Sequence, residues 1–199
     1  MWVYGRMLLL QGFLLLVQCV LYFLIARHTP APRYVDTRMD RRIPLLTCFV
    51  YPYGLWYVLI TVFPPVVYYY SPERYRAYML CLLVIMGVSL VIYSLFPTAV
   101  RRPEITGRRL SARLLQIVYR IDGEAKNCLP SLHCSLSFLC LLTAFSCGNL
   151  PAVLQWGVGA LSLCIVASTL FTRQHALIDV AAALLLTLAV WFRVGRPGG

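Results

Sequence analysis

Apolar residues fall in six long runs separated by polar connectors, and this pattern decides the class of protein first. The first run, Met7 to Ala26, has 20 residues and no charge. A signal-peptide core is about 7–15 residues long and ends in a small-residue cleavage site, which Ala26-Arg27-His28 does not offer. It therefore reads as a retained helix. A helix crossing the hydrocarbon core of a bilayer needs about 20 apolar residues, and further runs of that order follow. The second, starting at Leu45, contains Pro52, Pro64 and Pro65, which predict a kink and an end near Phe63. The fourth is short, Cys134 to Cys147, and reaches spanning length only if it begins near Pro130. Pro130 and Pro151 suit first helical positions, where a missing N–H costs nothing. A basic segment, Pro97 to Leu129, separates the third run from the fourth. With no internal repeat and no second hydrophobic pattern, the expectation is one all-α membrane domain over residues 1–199. Its six transmembrane helices would lie near 7–26, 45–63, 77–96, 130–147, 151–172 and 176–192.

Composition agrees. Hydrophobic residues make up 60% and charged residues 13%, against about 45–50% and about 25% in soluble domains. That excludes a soluble globular domain, a disordered chain and a secreted disulfide scaffold. Of the eight cysteines, Cys19, Cys48, Cys81, Cys140 and Cys164 lie inside apolar runs, where a thiol behaves as a small hydrophobe. The net charge of +11 would suggest nucleic acid in a soluble protein. Here the basic residues sit between membrane segments, so no nucleic acid is expected, and the expected partners are the lipid bilayer with its anionic head groups or a phosphorylated substrate. Trp2, Tyr4, Tyr68 to Tyr70, Trp156 and Trp191 fall near run ends and read as an interfacial aromatic belt.

Alternation of six spans has a chemical consequence. The ends of odd helices and the starts of even ones share a membrane face, so catalytic motifs at those helix ends would gather on one side. Arg101 and Arg102, Ser131 and His133, and Arg173, His175 and Asp179 all meet there. Asp179 follows His175 by four residues, one helical turn away. An Asp in an apolar run costs about 2.5–3.5 kcal/mol at the bilayer centre and is by default a functional candidate. Its carboxylate can fix one ring nitrogen of His175 and leave the other as nucleophile or base; a structural pair stitching helices is the alternative. His133, at a helix start, can donate a proton while Ser131 and nearby amides hold anionic oxygens. The planar forks of Arg102 and Arg173 suit phosphate. Together with Cys128 and Cys134 the histidines match no standard zinc spacing, so neither a metal nor another cofactor is expected. His28 reads as a connector histidine.

Pro130-Ser131-Leu132-His133 resembles the PSGH-type motif of the type 2 phosphatidic acid phosphatase superfamily, the integral-membrane lipid phosphate phosphatases. Ser168 to Asp179 resembles that family's third motif, and Arg102-Pro103 the end of its first. The likeness covers all six runs. It is nearest the branch of small bacterial members and inositol phosphorylceramide synthases, which share Ser-Leu-His and a basic residue before Gln-His. The first-motif Lys would fall at Leu95 and the third-motif Arg at Thr169, so two phosphate-binding cations are missing; Arg173 and Arg101 are the candidates to replace them. The resemblance implies His175 as nucleophile, Asp179 as its orienter and His133 as the acid, with Arg102 and Ser131 on the phosphoryl oxygens.

The expected activity is metal-independent hydrolysis of a lipid phosphomonoester or diphosphate through a phosphohistidine. A head-group transferase like the inositol phosphorylceramide or sphingomyelin synthases is the alternative. A transporter or scaffold using the cluster as an anion site is the third reading. The chain reads as a bacterial membrane protein. Thirteen of its 18 basic residues fall on the catalytic face, against Arg6, Arg74, Arg76, Arg193 and Arg196 on the other. The positive-inside rule would put that face in the cytoplasm. The resemblance implies an extracytoplasmic site and is preferred.

Overall fold

A computed structural model describes residues 2–28, 31–123 and 126–195, with side chains from Leu9 onward. Arg196 and the side chains of Trp2, Tyr4 and Arg6 lie outside the described residues. The described elements are α1 (Trp2–His28), β1 (Arg33–Tyr34), α2 (Val50–Tyr70), α3 (Pro72–Leu95), β2 (Thr98–Ala99), α4 (Leu110–Asp122), α5 (Leu132–Ser146), α6 (Ala152–Phe171) and α7 (Leu177–Val190). A π-helical turn, Trp191–Gly195, extends α7. The fold is helical apart from the two short strands. Five stretches, Leu9–His28, Thr47–Tyr70, Pro72–Leu95, Ala152–Phe171 and Leu177–Gly195, are long and apolar enough to cross a membrane and fit an integral membrane protein.

The expected fourth span is the exception. Helix α5 has 15 residues, about 22 Å at about 1.5 Å per residue, short of a hydrocarbon core of about 30 Å. It is also the central helix: ten of its 15 residues are buried, and it packs on α2, α3, α6 and α7. Its tightest contact is with α6, where a Cβ on Gly159 would lie 2.8 Å from the Phe145 ring. Only a residue without a side chain lets the two helices approach so closely.

Helix α2 does not end near Phe63; it continues through Pro64 and Pro65 to Tyr70. Each proline lacks the N–H that would bond the carbonyl four residues earlier, orphaning those of Ile60 and Thr61. The Gln11 side-chain amide of α1 donates to both, at 3.0 and 3.1 Å. Neighbouring helices commonly re-satisfy backbone groups in this way inside a membrane. Pro130 and Pro151 also sit differently from expectation. Ser131 caps α5, its Oγ accepting the Cys134 N–H at 3.3 Å, so Pro130 lies one residue before the cap; Pro151 is itself the cap of α6. Of the expected aromatic belt, Trp156 and Tyr69 are exposed, whereas Trp191 is buried.

The basic segment before α5 contains a helix, α4, that apolar run length does not reveal. Arg109, Arg113, Gln116 and Arg120 share one side of it, and Leu110, Leu114, Ile117 and Ile121 another, with Leu110, Ile117 and Ile121 exposed. Such a helix is amphipathic and suited to a membrane interface.

Three loops are tied together beneath the bundle end. Strand β1 pairs in parallel with β2, and Ala99 forms a bridge to Lys126. The Thr98 hydroxyl oxygen accepts the Leu129 N–H at 2.9 Å. The first connector, the segment after α3 and the segment before α5 are thereby fixed side by side, which sets where Arg102 and the start of α5 stand.

Candidate active site

The turn between α6 and α7 presents His175. Arg173 adopts a left-handed backbone conformation, φ 54°, uncommon for a residue with a side chain and frequent near functional sites. It reverses the chain at the end of α6, and the N–H groups of Gln174 and His175 both donate to the Thr169 carbonyl, at 3.0 and 3.1 Å. His175 is thus in the turn, two residues before the first residue of α7. Asp179 lies within the first turn of α7, fully buried, its Oδ2 accepting the Ala176 N–H at 2.8 Å. The His175 Nδ1 stands 3.5 Å from the same oxygen, an ion-pair separation slightly beyond a good hydrogen bond.

A second carboxylate, not singled out by sequence, supports this turn. Asp40, buried in the first connector, accepts the Leu177 N–H through Oδ1 at 2.7 Å and the Thr37 N–H and hydroxyl through Oδ2. Burial alone would raise its carboxyl pKa, but the bonds from the Thr37 hydroxyl and the Leu177 N–H outweigh that and hold it below the ordinary range. Both carboxylates lie at the positive end of the α7 dipole. The Arg173 guanidinium donates to the carbonyls of Asp40, Arg41 and Ile43, so it clamps the same connector to the same turn.

His133 is the second residue of α5. Its ring is stacked on Tyr53, centroids 4.4 Å apart and 15° between planes, and on Trp56, 4.0 Å and 26°. Two rings so near and so nearly parallel to a third cannot share one of its faces, so the imidazole is sandwiched. Its Nε2 is buried with no hydrogen-bond partner among the described residues. The two histidine rings are 6.3 Å apart, close enough for one phosphoryl group to contact both.

They open onto a cavity of about 480 Å³ between α1, α2 and α4. Its wall is mostly apolar and aromatic, with Phe23, Tyr57, Ile117 and Val118 facing the histidines, Gln174, Asp122 and Lys126. Neither Arg102, Ser131, Arg173 nor Asp179 belongs to this lining. Arg102 is held by Asp122 and the Gln174 side-chain oxygen, donates to the Gly123 carbonyl at 3.1 Å, and lies 4.6 Å over the Tyr119 ring. Burial pushes the Tyr119 hydroxyl up to about 12, against the opposing pull of Arg102. Arg101 is exposed and pairs with Asp36 at 3.5 Å. At the two positions where the resemblance lacks cations, Leu95 is exposed and Thr169 is buried, its hydroxyl donating to the Val166 carbonyl.

The structure therefore brings His133, Ser131, His175, Asp179 and, through Gln174, Arg102 into one cluster, and directs the Arg173 side chain to the connector. Tyr53, Trp56, Asp40, Asp122 and Lys126 were not legible as site residues. The aromatic pair at positions 53 and 56 sits at helical spacing in an apolar run, where the ordinary expectation is core. Cys128, buried beside His175, has its thiol pushed up by desolvation and by the Asp179 charge. Cys128, His175 and Asp179 each place a ligand-type atom within 4.8 Å of the others.

No curated protein and no solved structure matches the chain. A family model described as the PAP2 superfamily matches residues 30–192, from the first connector to the end of α7 and so across both histidines. That is well over half of the chain, and the chain belongs to the PAP2 superfamily.

Proposed function

We propose that the protein is a membrane lipid phosphate phosphatase acting on a phosphomonoester or diphosphate without a metal. Its superfamily membership supports a lipid phosphate enzyme, a phosphoric ester hydrolase or a related phosphotransferase. The observation that carries this reading is the pair of histidine rings 6.3 Å apart, one against a buried carboxylate, at the end of an apolar cavity.

In the first step neutral His175 attacks phosphorus through the nitrogen turned away from Asp179. The N–P bond forms as the bond to the lipid oxygen breaks. Asp179 stabilises the imidazolium, and protonated His133 gives its proton to the departing lipid alcohol, a step typically worth about 10²–10⁴-fold. The π-faces of Tyr53 and Trp56 favour the cationic ring. In the second step water attacks phosphorus, His133 takes its proton, the N–P bond breaks and phosphate leaves. Most of the catalysis lies in stabilising charge on the equatorial oxygens. Ser131 keeps its hydroxyl proton to donate there, since its oxygen is the acceptor in the cap; Lys126 and Arg102 supply positive charge. Arg173 contributes by fixing the turn that carries His175.

The lipid chain occupies the cavity between α1, α2 and α4, reached from the bilayer. In this reading α5 is a sixth membrane-embedded helix shielded by its neighbours, the single domain takes in the whole chain, and the cluster faces the extracytoplasmic side of a bacterial membrane. Cys128 is too buried to report sidedness, so an Arg108→Cys protein, labelled on intact cells with an impermeant thiol reagent, is the appropriate test. Labelling only after permeabilisation would place the cluster in the cytoplasm.

One observation favours the transferase alternative: Arg102 is already neutralised by Asp122. A phosphodiester carries one negative charge fewer than a monoester and asks less of the site. The deciding experiment is phosphate release by detergent-purified protein in EDTA. Substrates are phosphatidic acid, lysophosphatidic acid, a polyprenyl diphosphate and phosphatidylglycerol phosphate, with His175→Ala alongside. Release lost in the variant is expected. No release, with head-group exchange on adding an acceptor alcohol, would replace hydrolysis by transfer; wild-type turnover in His175→Ala would end both readings.

A further inference from the structure

We propose that Cys128, His175 and Asp179 form a binding site for a thiophilic divalent cation of the zinc class, and that filling it silences the enzyme. The site stands on its own geometry; only its inhibitory effect rests on the phosphoryl-transfer reading.

Three atoms within 4.8 Å of one another leave a point no farther than about 2.8 Å from all three. Zinc needs about 2.3 Å to sulfur and about 2.0–2.2 Å to nitrogen or oxygen, so a contraction of roughly half an ångström closes the site. The donor set, one thiol, one imidazole and one carboxylate, selects the metal. Magnesium and calcium take oxygen ligands, whereas a thiolate with an imidazole suits zinc, cobalt or cadmium.

A second observation points to a ligand here. Asp179 is fully buried, yet its Oδ1 has no hydrogen-bond partner among the described residues, and neither has the His175 Nδ1 beside it. A buried carboxylate oxygen without a donor is unfavourable, and a cation would satisfy it. Coordination through Oδ1 leaves the Asp179 Oδ2 its bond from the Ala176 N–H, so α7 stays capped. Cys128 and His175 both line the cavity, giving the ion a path to the site and leaving the fourth coordination position facing the substrate space. The Cys128 thiol now donates to the Gln174 carbonyl at 3.8 Å. Binding replaces that contact and releases the thiol proton to solvent. With the metal in place, a ring nitrogen of His175 is a ligand, the carboxylate no longer orients the ring alone, and the cation covers the phosphoryl position.

The test uses the full chain in detergent, stripped with EDTA and titrated with Co²⁺ as a spectroscopic probe. A thiolate-to-cobalt charge-transfer band with tetrahedral visible absorption is expected. It should be displaced by Zn²⁺ and lost in both Cys128→Ser and Asp179→Asn. In parallel, Zn²⁺ should inhibit lipid phosphate turnover, and Cys128→Ser should need at least about tenfold more zinc for half-inhibition. Circular dichroism and gel filtration establish that the variants are folded, and Cys128→Ala serves should the serine protein not be. The same cobalt band in folded Cys128→Ser or Cys128→Ala would assign the metal to another of the eight cysteines and overturn the proposal, as would turnover equally sensitive to zinc in wild type and variant. A band lost in the variants from a protein with no turnover on any lipid would uphold the site and remove the phosphoryl-transfer reading.

Discussion

Two sides of the cavity are built by different rules. The α5–α7 side is built around the mostly buried α5 and is polar at its edge. Both histidines, the buried carboxylate and the left-handed turn belong to it, and each is fixed by at least one named neighbour. The side formed by α1 and α4 is more thinly packed: 11% of the α1 span is buried, against 33% for α6 and 28% for the α7 span. Its contribution to the cavity is mostly apolar wall, with Gln18 and Asp122 as the polar exceptions. Chemistry that must be held within fractions of an ångström is placed where backbone and side chains are over-determined. The lipid-accommodating wall has no such demand.

Substitutions should separate the two sides, starting with the largest effect. In the proposed mechanism His175→Ala removes the attacking atom and should lower kcat by at least about 10⁴-fold in steady-state phosphate release; His133→Ala removes the proposed acid and should cost about 10²–10⁴-fold. A lipid with a very good leaving group should recover much of the second loss and none of the first. Gly159→Ala disturbs the chemical side without touching it, pushing a methyl into Phe145. Overpacking of this kind costs about 1–3 kcal/mol, read as a lower melting temperature in detergent with kcat retained below the transition. Val118→Trp, on the apolar wall, should raise KM for long-chain lipids about tenfold while leaving kcat for a short-chain analogue unchanged. If kcat for that analogue falls as well, the division between chemistry and wall is wrong.

The smallest effect carries a pH signature. Asp40 has its carboxyl pKa lowered in the fold, so the unfolded chain takes up its proton first as pH falls. Its stabilising contribution is complete above the unfolded value, near pH 4, and drains away as pH drops through the folded value. Asp40→Asn should lose about 0.5–2 kcal/mol at neutral pH, as for other helix caps. The deficit should shrink in melts taken below about pH 4. A deficit independent of pH would mean that the contribution comes from shape and not from charge.

Much of this was readable from the sequence because hydrophobic runs of membrane length leave few alternatives. Five of the six expected spans correspond to long helices, with ends within five residues except at the end of α2. That boundary failed because a proline pair signals a lost hydrogen bond but not a replacement donor 49 residues away. Helix α4 was missed because its apolar positions recur at helical spacing among arginines, which run length cannot detect. The histidines and Asp179 were legible because ionisable groups are costly in apolar text. The sandwich around His133 was not, since Tyr53 and Trp56 look like any aromatic stripe. Nor could sequence tell that Arg102 has Asp122 as a partner 20 positions on, or that Arg173 faces the connector.

The contact of Gln11 with the two proline-orphaned carbonyls has a mechanical meaning. A smooth apolar helix in lipid is free to slide along its neighbour and to rotate about its own axis, for nothing apolar distinguishes one register from the next. A single amide bridging two fixed oxygens works as an index pin. Slipping α1 by one residue would turn it by roughly 100° and carry Gln18 and Tyr22 off the cavity wall. The width of the chamber is therefore set partly by a side chain far from any reacting atom, together with the bonds that Tyr22 makes to Asp122 and to the Lys126 carbonyl.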